Sequence, residues 1–296
     1  MRLSGLSAAV LSVFLLAGCT RGTAPEPTQN IVDFTAPGAG AEMVERLMET
    51  AGSTRVVNVE LTRTEAHVSV VIGQDVATYA YRDQRISQID SDVAYVGQAI
   101  FDPRSFDLGD LEDLFSQAAA ISGSAQGQQL QVVDYNNGAI YMNVTTNPET
   151  VPVFFTPDGA LIRPLDIQDL TDLTSQLTQV VGPSAVRVGV SSTGSVYADL
   201  PAGPNQVLRV VRATRFPVRT QLKSDSSQPE PFDSSMITPF MARDILLQAS
   251  SYLDKPLSGG FELVIERRAG EATPTATVTM GLKTTHLTLS GVVLTS

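Results

Sequence analysis

The sequence predicts an α+β fold built from tandem helix-plus-antiparallel-meander repeats, about four units, paired two and two. Three observations point there. Four stretches place apolar residues at helical spacing, and each is followed by runs of alternating or β-branched residues. Leu47, Leu114, Leu177 and Leu247 hold similar places in those helices, at separations of 67, 63 and 70 residues. A unit of that length is a small domain, and about 60 residues make a marginal core alone, which favours pairing.

The chain opens on a different pattern. Arg2 supplies a positive start, and an apolar stretch from Leu6 to Leu16 is broken only by Ser7 and Ser12. Leu16-Ala17-Gly18-Cys19 follows. A positive start, a short apolar run and a small-residue site describe a secretory signal, and the run falls short of the ~20 apolar residues of a membrane span. Here the chain resembles the bacterial lipoproteins, whose lipobox Leu16-Ala17-Gly18-Cys19 matches at every position. The resemblance implies that the signal, residues 1–18, is removed and that the Cys19 thiol carries a diacylglycerol. Cys19 is the single cysteine of the chain. Two or three acyl chains anchor stably where one is marginal. Residues 19–40 then read as the lipidated cysteine and a flexible tether, rich in Thr, Ala, Gly and Pro, with Pro25, Pro27 and Pro37 spread through it. Ile31, Val32 and Phe34 allow a short edge strand within it.

The body divides at residue 163, into a first pair of units at 41–163 and a second at 164–296. The first helix is expected at 41–51, with Met43, Val44, Leu47 and Met48 on one face, before strands at Val56–Leu61, 67–72 and 76–81. The second is expected at 108–121, with Leu111, Leu114, Phe115, Ala118 and Ala119, before strands at 130–133, Ala139–Thr145 and 151–155. The third spans 167–181, with Leu170, Leu173, Leu177 and Val180, before strands at 186–190, 195–200, 207–213 and 218–222. The fourth is Pro239–Leu253, with Phe240, Ile245, Leu246, Ala249 and Leu253 facing the core, before strands at 261–266, 276–280 and 286–294. Asn136-Asn137-Gly138 and Pro157-Asp158-Gly159 are turn signals, and the stretch from Gly189 to Gly194 reads as a hairpin turn.

This unit resembles PepSY-like domains and the α/β repeats of beta-lactamase-inhibitor proteins, with residues 153–162 similar to the strand-turn-strand ending of a PepSY unit. A second resemblance is to the lipid-carrying lipoproteins of mycobacteria, which follow a lipobox and linker with a half-barrel sheet and hold acyl chains. Phe101-Asp102-Pro103, between a strand and a helix, is compatible with it.

Composition bounds the chemistry. The chain carries 20 Lys and Arg against 31 Asp and Glu, a formal −11, and losing Arg2 with the signal leaves −12. Only Lys223, Lys255 and Lys283 are lysines. That argues against nucleic acid. The cluster Arg209, Arg212, Arg215 and Arg219 reads as the solvated face of strands. An acidic body should be repelled by an anionic membrane and stand off on its tether. His67 and His286 are far apart in sequence and fit no metal motif. No nucleophile elbow, phosphate loop or dinucleotide fingerprint is present, and Ser251 with Lys255 is spaced by four rather than three. Asp107, Asp110, Glu112 and Asp113 crowd one helix start and Asp166, Asp169 and Asp172 another, where capping and the macrodipole favour them. Asp90-Ser91-Asp92 reads as a loop.

These readings converge on a non-enzymatic lipoprotein held on the extracytoplasmic face of the cell membrane by Cys19. It needs no cofactor or metal and has no catalytic residues, and it binds or regulates a protein partner in the envelope. The alternative is a carrier of lipid or another small hydrophobe.

Overall fold

A computed structural model describes residues 32–90, 93, 95–226, 230–267 and 270–294. Cys19, the lipobox and most of the expected tether, Ile31 included, lie outside them. Val32–Ser296 forms one compact unit. Its described residues are α+β, with four α-helices and antiparallel sheets.

Helix α1 (Ala39–Ala51) leads into strands β1 (Val56–Leu61), β2 (Ala66–Ile72), β3 (Asp75–Arg82) and β4 (Arg85–Ile89). Helix α2 (Leu111–Ser122) leads into β5 (Gln129–Asn136), β6 (Ala139–Thr145) and β7 (Val153–Phe155). These strands make one seven-stranded sheet in the order β4-β3-β2-β1-β5-β6-β7. The junction is the antiparallel pair β1–β5, with Leu61 opposite Leu130 and Val59 opposite Val132.

The second half follows the same order. Helix α3 (Leu170–Val180) precedes β8 (Ser184–Ala185), β9 (Arg187–Ser191), β10 (Ser195–Gly203), β11 (Gln206–Ala213) and β12 (Arg219–Ser224). After β13 (Phe232–Asp233), helix α4 (Pro239–Leu253) precedes β14 (Glu262–Glu266), β15 (Thr275–Met280) and β16 (Lys283–Thr288). The order is β12-β11-β10-β9-β14-β15-β16, joined through β9–β14, while β8 and β13 pair as a separate ribbon.

Each sheet lays its helices on one face, because its strands alternate. Val59, Leu61, Val68, Val70, Leu130, Val132, Met142 and Val144 point into the first core with Met43, Leu47, Leu111 and Leu114. Val188, Val190, Val196, Ala198, Leu263 and Ile265 do the same in the second, against Leu173, Leu177, Ile245 and Leu246. The first core runs from Phe34 to Leu161 and the second from Ile167 to Val293, on either side of residue 163.

Local chemistry fixes the helix ends. Asp110 accepts from the Asp113 amide at 3.1 Å, Asp169 from Thr171 and Asp172 at 2.8 and 3.0 Å, and Thr238 from Met241 at 3.1 Å. Pro239 occupies the first turn of α4. Turns form at Asn137-Gly138, both at positive φ (50° and 92°), and at Gly159 (81°), whereas Gly189 to Ser191, expected in a turn, belong to β9 and the turn there is confined to residues 192–194.

Several boundaries differ from the sequence reading. The tether ends earlier than residue 40. Phe34 is 1% exposed, meets Tyr81 edge-on at 5.5 Å and donates its amide to the Arg63 carbonyl. One aromatic side chain thus draws the segment ahead of α1 into the core, and Val32 and Phe34 make no edge strand. Strand β4 was not expected, because Arg85-Ile86-Ser87-Gln88-Ile89 is a polar, mostly exposed edge. Strand β16 stops at Thr288. Gly291, at φ 82°, reverses the chain so that Val293 pairs back on Leu287.

The fourth helix departs most. Ile245, Leu246, Ala249 and Leu253 are buried as expected, but Phe240 is 67% exposed. Five residues separate Phe240 from Ile245, which puts them on different helix faces. Leu247 is also 46% exposed, so the buried counterpart of Leu47, Leu114 and Leu177 is its neighbour Leu246.

Candidate partner-docking site

Two exposed apolar residues on α4 define the site. Phe240 and Leu247 stand seven residues, or two turns, apart on the outer face, with Arg243 between them. Beside them α3 and α4 leave a cleft of about 160 Å³, lined chiefly by Ile167, Leu170, Leu173, Leu246, Leu257 and Phe261. Gln168 and Arg243 supply its polar groups. Arg243 has no ion-pair or hydrogen-bond partner among the described residues. An apolar pocket with one uncommitted guanidinium and a projecting aromatic has the make-up of a protein-binding patch. Sequence reasoning missed it by assigning Phe240 to the core. The i, i+7 pairing of Phe240 with Leu247 was the signal.

A more open surface cleft, about 700 Å³, lies between α2 and the β1–β2 turn and is lined by Arg63, Thr64, Glu112, Ser116, Gln128 and Asn147 among others. Its charges are already spent on each other, since Arg63 bridges Glu112 at 3.1 Å and Asp33 at 3.2 Å.

The residues singled out in the sequence take structural roles. Asp172 accepts from Arg163 and from the Asp166 amide, and these bonds hold its carboxyl below the usual range. Asp107 accepts from the Gly109 amide at 3.3 Å, Glu112 from Arg63, and Asp113 from Gln117 at 2.6 Å. Asp90 is exposed, and Ser91 and Asp92 lie outside the described residues. Among the described residues no group of three or more His, Cys, Asp or Glu side chains is placed to hold a metal ion. His67 and His286 lie on different sheets. His67 meets Glu60 at 3.4 Å and His286 meets Thr277 at 3.0 Å. Lys255 is exposed, and it is the Ser250 hydroxyl that bonds its carbonyl.

The arginine cluster is only partly a solvated face. Arg215 and Arg219 are exposed. Arg209 is not free: it grips Asp199 through Nε at 2.6 Å and Nη2 at 2.8 Å and lies 4.0 Å over the Tyr197 ring. Asp199 is 0% exposed and also takes Nη1 of Arg187 at 3.1 Å, while Arg187 reaches Asp225 at 3.2 Å and Glu266 at 3.0 Å. Asp199 keeps Arg209 more firmly protonated than an ordinary arginine.

Arg212 is 2% exposed and has no carboxylate partner among the described residues. Its guanidinium donates to the carbonyls of Ala213, Phe216 and Arg163, and burial lowers its pKa. It sits at the seam between the halves, where the rings of Tyr135, Phe154 and Phe216 follow one another at 5.1 and 5.7 Å. Alternation puts Arg209 and Arg212 on opposite faces of β11, which a cluster read by proximity in sequence hides.

On the helix-free face of the first sheet, Glu60 accepts from Gln129 at 2.8 Å and Asn58 at 3.1 Å as well as meeting His67. The His67 contact, with help from Asn58, holds the Glu60 carboxyl below its ordinary value against the opposing effect of burial.

No family model matches the chain, and no curated protein does. Among solved structures it is similar to DNA polymerase III subunit beta from Pseudomonas aeruginosa, at 11% identity over 84% of this chain and 64% of that one, with a TM-score of 0.16. It is similar to a beta clamp from H. pylori in complex with 5-chloroisatin, at 8% identity over 88% and 63%, with a TM-score of 0.15. The beta subunit from Thermotoga maritima gives 8% identity over 90% and 65%, with a TM-score of 0.18. The chain spans a little under two thirds of the length of these proteins. Scores this low leave the fold to be argued from its own topology.

Proposed function

We propose that the chain is a membrane-anchored extracytoplasmic lipoprotein, acylated on Cys19, that binds a protein partner in the envelope without doing chemistry on it. Its body is read as four helix-plus-meander units, paired through β1–β5 and β9–β14. The anchor rests on the lipobox Leu16-Ala17-Gly18-Cys19. The binding role is carried by the apolar α3–α4 cleft with Phe240 and Leu247 exposed beside it. Apolar anchors that fill a desolvated pocket supply most of the energy of a protein interface.

The test is site-specific photo-crosslinking of the full chain in intact cells, with the photoreactive group at position 247 or, as a control, at the exposed Gln74. One envelope protein captured at 247, absent at 74 and lost when Phe240→Ser is added, supports the reading. Equal capture at both positions overturns the docking site. The anchor is read separately: the chain should incorporate labelled palmitate in cells and lose the label on Cys19→Ala, and an unlabelled wild-type chain would sink the lipoprotein reading.

A further inference from the structure

Two of the three lysines in the chain stand near one tip, together with the most exposed leucine among the described residues. Helix α4 ends where Asp254 turns into the left-handed region at φ 53°. Tyr252 is exposed on that last turn and Lys255 follows it. Strands β15 and β16 are joined by a two-residue turn, Gly281-Leu282, with Met280 opposite Lys283 and Gly281 at φ 60°. Leu282 is 105% exposed, so nothing in the protein covers it. The Lys283 ammonium donates to the Leu253 carbonyl at 2.8 Å, clamping this hairpin tip to the end of α4. A cation at a helix C-terminus also suits the macrodipole.

Arg63, Arg82, Arg104, Arg187 and Arg209 are all engaged by carboxylates. Lys255 and Lys283 differ from these ion-paired arginines and share with Arg215, Arg219 and Arg243 the lack of a carboxylate partner among the described residues. The acidic groups nearest in the chain are Asp254, beside Lys255, and Glu262, whose strand position faces Thr279. In a protein of net charge −11 this is a local relief from negative potential.

We propose that this tip docks on an anionic bilayer surface. Leu282 and Tyr252 enter the headgroup boundary, where an amphipathic ring and an aliphatic chain are both favoured, and Lys255 and Lys283 reach lipid phosphates. The remaining acidic surface is repelled, so the contact orients the body instead of laying it flat. The idea goes beyond the partner-binding reading and does not require acylation of Cys19.

The test uses the full chain with Cys19→Ser, which cannot be acylated, and a single new cysteine, Thr284→Cys at the tip or Gln74→Cys at another exposed turn, labelled with a small fluorophore. Vesicles contain phosphatidylcholine alone or with phosphatidylglycerol, and a nitroxide lipid quenches at headgroup depth. Stronger quenching at 284 than at 74, dependent on phosphatidylglycerol and weakened by 0.5 M salt, is expected. Leu282→Ser, at a site too exposed to affect folding, and the pair Lys255→Glu with Lys283→Glu should each weaken partitioning about tenfold or more. Equal quenching at 284 and 74, or partitioning indifferent to all three substitutions, overturns the proposal. Failure here leaves the cell crosslink at position 247 untouched, so the two readings fall separately.

Discussion

Removing the Asp199 carboxylate should destabilise the second sheet by about 3 kcal/mol. Asp199 lies on β10 between two cross-strand arginines, opposite Arg187 on β9 and Arg209 on β11. It is fully buried and accepts three guanidinium hydrogen bonds, at 2.6, 2.8 and 3.1 Å. Taking one partner from a buried ion pair costs ~3–5 kcal/mol, because the charge left behind is desolvated without compensation. Two features place Asp199→Ala at the lower end. Arg187 keeps Asp225 and Glu266, and Arg209 keeps the Tyr197 face. For a chain of this size that corresponds to a fall in Tm of roughly 6–12 °C. Urea unfolding of the full chain, followed by far-ultraviolet circular dichroism because there is no Trp, gives the change in midpoint at constant slope. The double-mutant cycle of Asp199→Ala with Arg209→Met should show a coupling above ~1 kcal/mol. A cost below ~1 kcal/mol for Asp199→Ala, or additivity with Arg209→Met, would refute the claim that this carboxylate holds the three strands together.

Gly189→Ala should be disproportionately harmful for one methyl group. A Cβ there would stand 2.2 Å from the Tyr197 ring, which lies across it on the neighbouring strand, so the ring must lift off and release Arg209. We expect a loss of ~1–3 kcal/mol in the same urea assay, largely relieved by Tyr197→Ala. Leu47→Ala should cost ~2–5 kcal/mol, whereas Leu247→Ala should stay within about 1 kcal/mol. Similar costs for the two would contradict the register of α4. Glu60 gives the pH prediction. Its folded pKa is depressed chiefly by the His67 contact, so its contribution is present above the ordinary glutamate value of 4.5 and is lost as pH falls through and below it. Glu60→Gln should therefore flatten the acid limb of a Tm against pH curve, and an unchanged limb would remove Glu60 as its source.

Element type was legible wherever a face repeats. Met43, Val44, Leu47 and Met48 can be read as one buried face because a helix brings i, i+1, i+4 and i+5 together against a single sheet. Val56–Leu61 and Ala139–Thr145 are legible by β-branched content and bounding turns. Strand β4 was not, since an edge strand is held by backbone bonds to β3 that ask little of its side chains. Phe34 was hidden among Thr, Pro and Gly, where composition speaks louder than one aromatic. The docking cleft failed for another reason. Periodicity assigns an apolar residue to the nearest apolar stripe, and Phe240 belongs to a second, narrower stripe with Leu247 whose meaning lies in its exposure.

The same distinction explains how so acidic a chain keeps its sheets. A face without helices must still satisfy its strands, and here polar side chains do it within the sheet, through Glu60 with Gln129 and Asn58 on one sheet and Asp199 with two arginines on the other. Such groups are matched across adjacent strands and have little left to offer a ligand. Among the groups these networks do not consume are Phe240, Leu247 and Arg243 beside the α3–α4 cleft, and Tyr252, Lys255, Leu282 and Lys283 at the far end of α4. Both sets sit on the last helix and the hairpin clamped to it. If the tip meets lipid, α4 is held with its N-terminal end, and so Phe240, directed away from the bilayer. A partner reaching the cleft would then approach from the side that faces away from the membrane. Crosslinking at position 247 should accordingly weaken when Leu282→Ser and Lys283→Glu free the tip, although neither residue lines the cleft. Unchanged capture in that variant would separate the two surfaces and leave the cleft to act alone.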